Sequence, residues 1–364
     1  MAERGAVPQV SRARKGALRV VRSLFSPLLP DDYLELVNPL WSTQELRGRI
    51  ERIERETDSA VTVFIRPGYD WPGHKAGQYT RVGVVVDGVF HWRAYSLTSE
   101  PDHPQGYIAI TPKRVDAGVV SPYLTNDARP GDIVRLGGVE GDFVLPDDLP
   151  EKLLFISAGS GITPIMSMLR SLHRRDELDD AVHLHSARRE DDVIFARQLR
   201  ALDESEPGLH VHVRLTGERG RMKPADLDEL CPDWRDRVTL ASGPGDMLDA
   251  LIEHWEAEGD CERLHMERFQ PKIGGGEEGE GGTIAFKVSD CETECDGSTP
   301  ILVAGEEAGL ELPFGCREGI CHTCVGTLRS GRLRDLRNGK VCGEDGETVR
   351  TCINAPEGRV EIEL

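Results

Sequence analysis

The sequence predicts three domains: a small antiparallel β-barrel (44–147), a doubly wound α/β domain with a parallel sheet (148–270) and a small α+β domain (283–364). Short strands separated by Gly and Pro turns predict the first, and alternating strands and helices predict the second. The third is marked by cysteines, because three lie within nine residues. A basic extension (1–43) precedes the barrel, and a Gly/Glu-rich linker (271–282) precedes the last domain.

Composition narrows the class of protein. Of 364 residues, 38% are hydrophobic and 29% are charged, which is typical of a globular chain with real cores. No run approaches the ~20 apolar residues that span a bilayer, and no signal peptide is visible. The net charge of −19 argues against nucleic acid as a partner. Clustered cysteines without a signal peptide favour a metal site in a reducing, cytoplasmic compartment.

The N-terminal extension is basic and amphipathic. One helical face is predicted to carry apolar side chains, namely Ala17, Leu18, Val21, Leu24 and Phe25. Such a helix, within residues 12–26, can lie on an anionic membrane surface or dock to a partner. The alternative is that it packs against its own protein.

Periodicity places the elements of the three domains. The barrel strands are predicted around 61–65, 82–86, 107–110 and 132–136, with a turn at Asp87-Gly88. The strands of the α/β domain are predicted at 152–157, 181–185, 210–215 and 237–241. The last domain is predicted to have a strand at 283–288, a helix with Thr299 as N-cap and Pro300 at N1, and a closing strand at 359–364.

The cysteine spacing is the most specific motif. Cys316, Cys321 and Cys324 form C-x4-C-x2-C, which resembles the plant-type ferredoxin signature for a [2Fe–2S] cluster. A zinc site would more usually show two C-x2-C pairs. Of the two later cysteines, Cys342 lies in a polar, turn-like stretch, whereas Cys352 lies just before the terminal strand, as the resemblance implies for the fourth ligand.

Two further cysteines are interpreted more plainly. Cys291 and Cys295 form C-x3-C, and two thiolates alone do not make a four-ligand site. Ordinary thiols are therefore the favoured interpretation for both.

A flavin motif closes the barrel segment. Arg93, Tyr95, Ser96 and Thr98 offer a cation for phosphate, an aromatic ring for the flavin and a hydrogen-bond donor near its N5. Downstream, a predicted helix start supplies backbone N–H groups and a hydroxyl for the pyrophosphate. The full predicted set for the flavin is Arg93, Tyr95, Ser96, Thr98, Ile110, Gly118, Val119, Val120 and Ser121.

A nicotinamide dinucleotide motif follows the first strand of the α/β domain. Glycines in a turn before a helix let a pyrophosphate approach the helix N-terminus. The residues concerned are Gly159, Ser160, Gly161, Thr163 and Pro164. After the next strand come Ser186 and Arg188, with Arg197 on the following helix, and these suit the 2′-phosphate of NADPH better than the ribose of NADH.

Later residues complete the predicted site. Ser242, Gly243 and Pro244 follow another strand, where the carboxyl ends of strands gather ligands. Glu267 and Phe269 end the domain, and an acid and an aromatic ring there can face the flavin, although Glu267 can equally form a structural ion pair. The residues predicted to act in the chemistry are Tyr95, Ser96, Ser242, Glu267 and Phe269.

These ordered motifs resemble the ferredoxin–NADP⁺ reductase superfamily over about residues 44–364. More narrowly, they are similar to fused flavin reductase–ferredoxin proteins that feed diiron and other oxygenases, which implies a β-grasp fold for the last domain. The family often has Cys-Gly-Pro where this chain has Ser242-Gly243-Pro244. The segment Ser26–Trp41 is similar to actinobacterial reductases that supply a membrane acyl-CoA desaturase.

The resemblance implies a function. NADPH gives two electrons to FAD, which passes them singly through [2Fe–2S] to a membrane-bound diiron desaturase or hydroxylase. One alternative is the reductase of an aromatic-ring or alkane oxygenase that uses NADH. An alternative of another class is a redox-sensing protein that binds the cofactors without turnover.

Overall fold

The computed structural model describes residues 38–42, 45–115, 118–269, 279–310, 312–314, 319 and 323–364. This part of the chain divides into two compact units. The first contains the described residues up to Phe90 together with Tyr95–Glu267, and the second contains His91–Ala94 and those from Arg268 onward. The predicted N-terminal helix, residues 271–278 of the predicted linker, and Cys316 and Cys321 lie outside the described residues.

The first sheet is the predicted antiparallel barrel. Its strands are β1 (Arg47–Arg55), β2 (Val61–Pro67), β3 (Tyr79–Val86), β4 (Val89–Ser96), β5 (Ile108–Ile110) and β6 (Ile133–Glu140). They lie in the order β4-β3-β6-β1-β2-β5. The two edge strands meet where Leu97 bridges Ile110 and where the Thr98 N–H donates to the Ala109 carbonyl at 2.8 Å. This contact closes the sheet around a core that includes Ile50, Val63, Ile65 and Val82.

Two local features of the barrel match the sequence. The turn between β3 and β4 has positive φ at Asp87 (51°) and Gly88 (79°), as a two-residue hairpin turn requires. A short helix, α1, covers Val120–Pro122 and continues as a π-helical stretch over Tyr123–Asp127. It begins where the sequence predicts a helix start.

The α/β domain contains a five-stranded sheet. Its elements in chain order are β7 (Leu153–Ala158), α2 (Ile162–Arg175), β8 (Ala181–Ala187), α3 (Ala196–Ser205), β9 (Leu209–Leu215), α4 (Thr216–Arg219), α5 (Leu227–Leu230), β10 (Val238–Gly243), α6 (Gly245–Glu258) and β11 (Leu264–Arg268). The strand order is β11-β10-β7-β8-β9, and β10, β7, β8 and β9 pair in parallel. The chain runs outward from β7 to β9 and returns on the other side as β10. The topological switch point therefore lies between β7 and β10.

The second unit contains a mixed sheet with one helix. Its elements are β12 (Gly279–Phe286), β13 (Cys291–Gly297), α7 (Ile301–Glu307), β14 (Val325–Asp335), β15 (Val341–Cys342), β16 (Thr348–Arg350) and β17 (Asn354–Glu363). The sheet order is β13-β12-β17-β14-β15, and β16 pairs with β14. The first and last strands, β12 and β17, are adjacent and parallel, while α7 packs on the core. This is the β-grasp arrangement that the resemblance implies.

The structure corrects two details of the prediction. Strand β12 begins at Gly279, four residues before the strand predicted at Thr283. Helix α7 begins at Ile301 with Pro300 as its N-cap, and no side chain caps it. The Thr299 hydroxyl lies outside the helix and donates to the Asp296 carboxylate at 3.0 Å. Within the described ranges, no helix is long and apolar enough to cross a bilayer.

Candidate functional site

The predicted dinucleotide turn lies at the switch point. Gly159–Gly161 form a 3-10 turn after β7, and α2 begins at Ile162. Gly159 has a φ of +54°, and nothing described lies within 4 Å of where its Cβ would be. A Cβ on Gly161 would lie 2.1 Å from the Ser242 carbonyl oxygen. The turn is thus open on one side and tightly packed on the other, which suits a backbone cradle for a pyrophosphate.

The end of β10 forms the other side of this crevice. Ser242 is fully buried, and its hydroxyl has no hydrogen-bond partner among the described residues. A Cβ on Gly243 would lie 2.6 Å from the terminal methyl group of Met247 and 3.3 Å from the Ala158 nitrogen. Pro244 is exposed and is the N-cap of α6. The structure therefore brings Gly159–Gly161 and Ser242–Pro244 together, although they are about 80 residues apart in the chain.

The residues predicted to bind the 2′-phosphate of NADPH lie at the end of β8 and beyond it. Ser186 is buried near the end of the strand, while Arg188 and Arg197 are exposed. Neither of these two arginine side chains forms a hydrogen bond or ion pair with a described residue. By contrast, Arg189 is paired with Asp192 at 3.2 Å. The two arginines thus remain available to bind an anion.

The predicted flavin motif lies on β4 and just beyond it. Arg93 and Tyr95 are partly buried, and Ser96 is 7% exposed. Nη1 of Arg93 is buried and has no hydrogen-bond partner in the described chain. Thr98 and Ile110 are fully buried, and Ile110 packs in the barrel core. The motif therefore presents Arg93, Tyr95 and Ser96, whereas the side chains of Thr98 and Ile110 fill the interior.

The predicted pyrophosphate segment surrounds the start of α1. Val119 is exposed, whereas Val120 and Ser121 are buried. The Ser121 hydroxyl accepts a hydrogen bond from the Val115 N–H at 3.1 Å, and the Gly118 N–H donates to the Val115 carbonyl at 2.8 Å. The hydroxyl and one N–H of this segment are therefore already used within the loop.

Glu267, on β11, has an unusual environment. Its Oε2 is buried and has no partner among the described residues. Burial raises the pKa of Glu267 to about 8, so the carboxyl is mainly neutral at pH 7. The predicted aromatic residue, Phe269, lies two positions further on and is partly buried.

Tyr79 and Glu140 form a polar group near Glu267 that no sequence motif predicts. The Tyr79 hydroxyl donates to Glu140 Oε2 at 3.2 Å, and Arg81 Nε lies 3.3 Å from Glu140 Oε1. Burial, with the carboxylates of Glu140 and Glu267, raises the pKa of Tyr79 to about 12. No motif marks these residues, since they lie on β3 and β6 and meet only through strand pairing.

Two of the four predicted cluster cysteines lie among the described residues. Cys324 is 1% exposed and Cys352 is 2% exposed. The Gly319 N–H donates to Cys352 Sγ at 3.2 Å, and the N–H and hydroxyl of Thr351 both donate to the Cys324 carbonyl at 2.9 Å. Gly319 has a φ of +72°, and a Cβ there would lie 2.6 Å from the Ile353 side chain. The other candidate, Cys342, lies on β15 opposite Leu333.

Comparisons with known proteins identify the family of this chain. Three family models match in order: an oxidoreductase FAD-binding domain over residues 66–145, an oxidoreductase NAD-binding domain over 155–253, and a 2Fe-2S iron-sulfur cluster binding domain over 286–357. An NADPH oxidoreductase of Mycobacterium tuberculosis is 44% identical over 349 residues, which cover 95% of this chain and 91% of that protein. The chain belongs to the iron–sulfur ferredoxin reductases.

Two further relatives place this reductase in a wider group. The ferredoxin reductase component of a 3-ketosteroid-9-alpha-monooxygenase from Mycobacterium tuberculosis is 31% identical, covering 86% of this chain and 93% of its own. The solved structure of phthalate dioxygenase reductase superposes with a TM-score of 0.60 at 20% identity, covering 87% of this chain and 97% of its own. That structure supports the fold, including the order of the three domains.

The residues of the reductase fit the cofactors that its family implies. Arg93 Nη1 and Ser242 Oγ are buried polar atoms that need partners, and a bound flavin and nicotinamide can supply them. The open side of Gly159 leaves room for a dinucleotide backbone. When bound, the flavin takes two electrons from the nicotinamide and releases them singly to the cluster. The chain's own task is to bind, to orient and to exclude water.

We expect Glu267→Gln to stabilise the reductase increasingly as pH rises. Burial raises the pKa of Glu267 to about 8, so the folded protein keeps this proton at pH values where the unfolded chain has lost it. The free energy of unfolding of the wild type therefore decreases as pH rises above the ordinary pKa of glutamate. The variant should exceed the wild type by at most about 1 kcal/mol near pH 5 and by about 3–4 kcal/mol near pH 8. Thermal unfolding of the holoprotein from pH 5 to 8.5 measures this difference.

The control is Glu262→Gln, at an exposed glutamate in the turn before β11. It should change stability equally little at every pH. A Glu267→Gln difference that is constant with pH would show that Glu267 titrates like an ordinary surface carboxyl.

Proposed function

We propose that this reductase passes electrons from NADPH through FAD and a [2Fe–2S] cluster to a partner oxygenase, and that the partner is a membrane-bound fatty acyl-CoA desaturase. The observation that carries the proposal is the crevice at the switch point. Arg188, just after the neighbouring strand β8, has no ion-pair partner among the described residues, and the motif on β4 lies in the same chain. The cluster-binding domain then supplies the exit for single electrons.

Each side chain has a proposed role in this scheme. Tyr95 stacks on the flavin, Ser96 donates to its N5 edge, and Arg93 neutralises phosphate charge. Ser242 lines the nicotinamide side. Glu267, kept neutral by burial, holds a proton close to the reacting atoms without adding charge to them. The backbone of Gly159–Gly161 and Gly118–Ser121 holds the two pyrophosphates.

NADPH is proposed over NADH because of the residues after β8. Arg188 and Arg197 carry no competing carboxylate among the described residues, while Arg189 is neutralised by Asp192. A bare guanidinium at the carboxyl end of this strand suits a 2′-phosphate. The naming of one relative as an NADPH oxidoreductase supports the same choice.

The coenzyme proposal predicts a selective defect in Arg188→Ala. A charge-assisted phosphate contact contributes roughly 1.5–3 kcal/mol, so KM for NADPH should rise about tenfold to a hundredfold. KM for NADH should change little, because NADH lacks that phosphate. The matched control is Arg189→Ala, whose guanidinium already pairs with Asp192. Equal effects of Arg188→Ala on the two coenzymes would show that Arg188 does not contact the phosphate.

The proposed cluster ligands are Cys316, Cys321, Cys324 and Cys352. Cys352 is supported as the fourth ligand by its burial and by the N–H that Gly319 directs at its sulfur, since such donors stabilise a bound thiolate. Cys342 is partly exposed, and burial raises the pKa of its thiol. Cys291 and Cys295 lie on β13 at the edge of the sheet and are not proposed as ligands.

We expect Cys352→Ser to remove the visible and EPR signals of the cluster. Cytochrome c reduction should then fall steeply, since the cluster is the exit for single electrons, while ferricyanide reduction by the flavin persists. Cys342→Ser is the matched control and should leave both the spectrum and the activities intact. The reverse pattern would make Cys342 the ligand. Loss of both activities in Cys352→Ser, with FAD still bound, would contradict the proposed order of carriers.

The acceptor is proposed from two sources. A similar protein is named as the ferredoxin reductase component of a monooxygenase, which supports an oxygenase as partner. The segment Ser26–Trp41 and the basic, amphipathic residues 12–26 support a membrane-associated one. An aromatic-ring or alkane oxygenase remains the alternative, and a redox sensor without turnover is excluded if NADPH–cytochrome c turnover is observed.

Deletion of residues 1–30 tests the membrane-bound acceptor. We expect NADPH–cytochrome c activity in solution to be unchanged, because the deletion leaves the three matched domains complete. Co-sedimentation with desaturase-containing membranes should weaken, and binding of the intact chain should weaken with added salt. Equal sedimentation of both proteins at every salt concentration would remove the membrane from the proposal and favour a soluble oxygenase.

A further inference from the structure

Helix α2 contacts the segment that follows the flavin strand. The Ser167 hydroxyl donates to the Ser99 carbonyl at 2.7 Å, and the Arg174 guanidinium donates to the Asp102 carbonyl at 2.8 Å. Between them, Nη1 of Arg170 donates to the Thr98 carbonyl. The three donors are spaced three and four residues apart and so share one helix face. One helix therefore carries the dinucleotide turn at its start and holds the end of the flavin motif with its side.

Arg170 is an unusual member of this set, because its partly buried guanidinium has only neutral hydrogen-bond partners among the described residues. Its Nε donates to Gln198 Oε1 at 3.1 Å, Nη2 donates to the same oxygen, and the guanidinium lies 4.9 Å from the ring centroid of Phe195. Among the described residues, no carboxylate oxygen lies within 4 Å of it. Burial accordingly lowers the pKa of Arg170. Its polar partners are all neutral oxygens, an arrangement that is costly compared with an apolar side chain.

Phe195, which contacts the Arg170 guanidinium, is itself strained. It is 1% exposed and has a φ of 62°, in the left-handed region that bulky side chains seldom adopt. Such strain persists only where the surrounding structure imposes it, and it tends to occur near functional sites. Phe195 and Gln198 belong to the start of α3, the helix that also carries Arg197.

The Thr98 carbonyl lies next to the hydrogen bonds that close the barrel. Thr98 lies two residues after Ser96, its N–H donates to the Ala109 carbonyl at 2.8 Å, and Ser99 Oγ accepts from the Ala109 N–H at 3.1 Å. These bonds belong to the closure of the barrel. Any displacement of the Thr98 carbonyl would thus move the strand that carries Tyr95 and Ser96.

We propose that Arg170 is a positioning residue that sets the placement of the flavin strand relative to the nicotinamide turn. Its planar fork joins three elements: the end of the flavin motif, α2 and the start of α3. The inference rests on the reductase activity of the family and on the flavin placement given above. The rate of a reaction between two bound groups falls steeply when they are displaced from near-contact distance. Arg170 can therefore control the rate without touching either cofactor.

The first test uses hydrogen exchange and needs no turnover. We expect Arg170→Met, measured in the holoprotein, to accelerate exchange of the Thr98 and Ala109 amides, because the Thr98 carbonyl loses the donor that holds this segment. Amides of β7 and β8 should keep their protection, since their ladder is untouched. The matched control is Arg174→Met, on the same face but exposed and bonded further from the motif. It should leave both amides protected.

The second test separates placement from binding. For Arg170→Met, kcat for ferricyanide reduction should fall about tenfold to a hundredfold, while KM for NADPH stays within about twofold. The primary isotope effect with NADPH deuterated at C4 should rise, because transfer to the flavin becomes limiting. Arg170→Lys keeps the charge but loses the fork, so it should lie between the wild type and Arg170→Met. Arg174→Met should resemble the wild type.

Several results would overturn the inference. Unchanged exchange at Thr98 and Ala109 would show that Arg170 does not hold this segment. A rise in KM with kcat unchanged would make Arg170 a binding residue. Loss of FAD or of folding in both Arg170→Met and Arg170→Lys would give it a purely structural role. Failure of the wild type to reduce ferricyanide with NADPH would instead refute the proposed function, and the exchange result would still stand or fall by itself.

Discussion

The close approach of Gly161 to the Ser242 carbonyl is the constraint on which the site depends. A single added methyl group would lie 2.1 Å from that oxygen, so the turn after β7 and the end of β10 can meet only through glycine. This contact fixes where α2 begins. The position of α2 in turn determines what its sides reach: the barrel closure through Ser167 and Arg170, and α3 through Gln198. The glycine turn and the segment that follows β4 are thus connected through α2.

The interior of the α/β domain disfavours charge. His183 and His185 both hydrogen-bond the Ser157 hydroxyl at 2.8 Å and are fully buried. Burial lowers the pKa of His185 to about 4 and that of His183 well below its usual value, so both rings are neutral at pH 7. Glu267 is held neutral by the same effect. The buried Arg237 is paired with Asp180 and Asp233, whereas the partly buried Arg170 has only neutral partners, which points to a role in geometry more than in stability.

Much of the architecture could be predicted because it rests on local signals. Period-two alternation placed β2 and β3, and the Asp87-Gly88 turn has the positive φ angles its sequence requires. The Gly159–Gly161 turn lies at the switch point because strands and helices alternate as expected. Thr299 was wrong as a cap, because the helix begins one residue later and the Thr299 N–H and hydroxyl both point to Asp296, three residues earlier. Such competition is invisible to a rule that considers only the residue before a helix.

The parts of the site that could not be predicted depend on distant backbone. In the sequence, Arg170 cannot be distinguished from a surface arginine. Its acceptor is the Thr98 carbonyl, which is 72 residues away in the chain. Every residue has a carbonyl, so no sequence pattern marks the one that an arginine will contact. The pair Tyr79–Glu140 is similar, because it forms only when β3 and β6 are paired in this register. Side-chain motifs can be identified in the sequence, whereas contacts between a side chain and a distant backbone oxygen cannot.

The glycines at the start of β12 limit how such proteins can exchange modules. A Cβ on Gly282 would lie 1.9 Å from the Gly358 carbonyl oxygen, and one on Gly297 would lie 2.1 Å from that of Gly279. Gly279 and Gly282 therefore belong to the packed sheet, although in sequence they continue a glycine-rich run that is typical of a flexible connection. A recombination crossover at residue 283 would split a strand from its own partners, whereas one before Gly279 would transfer the ferredoxin module whole. Among relatives with different reductase halves, viable natural chimaeras should have their junctions N-terminal to the residue that corresponds to Gly279.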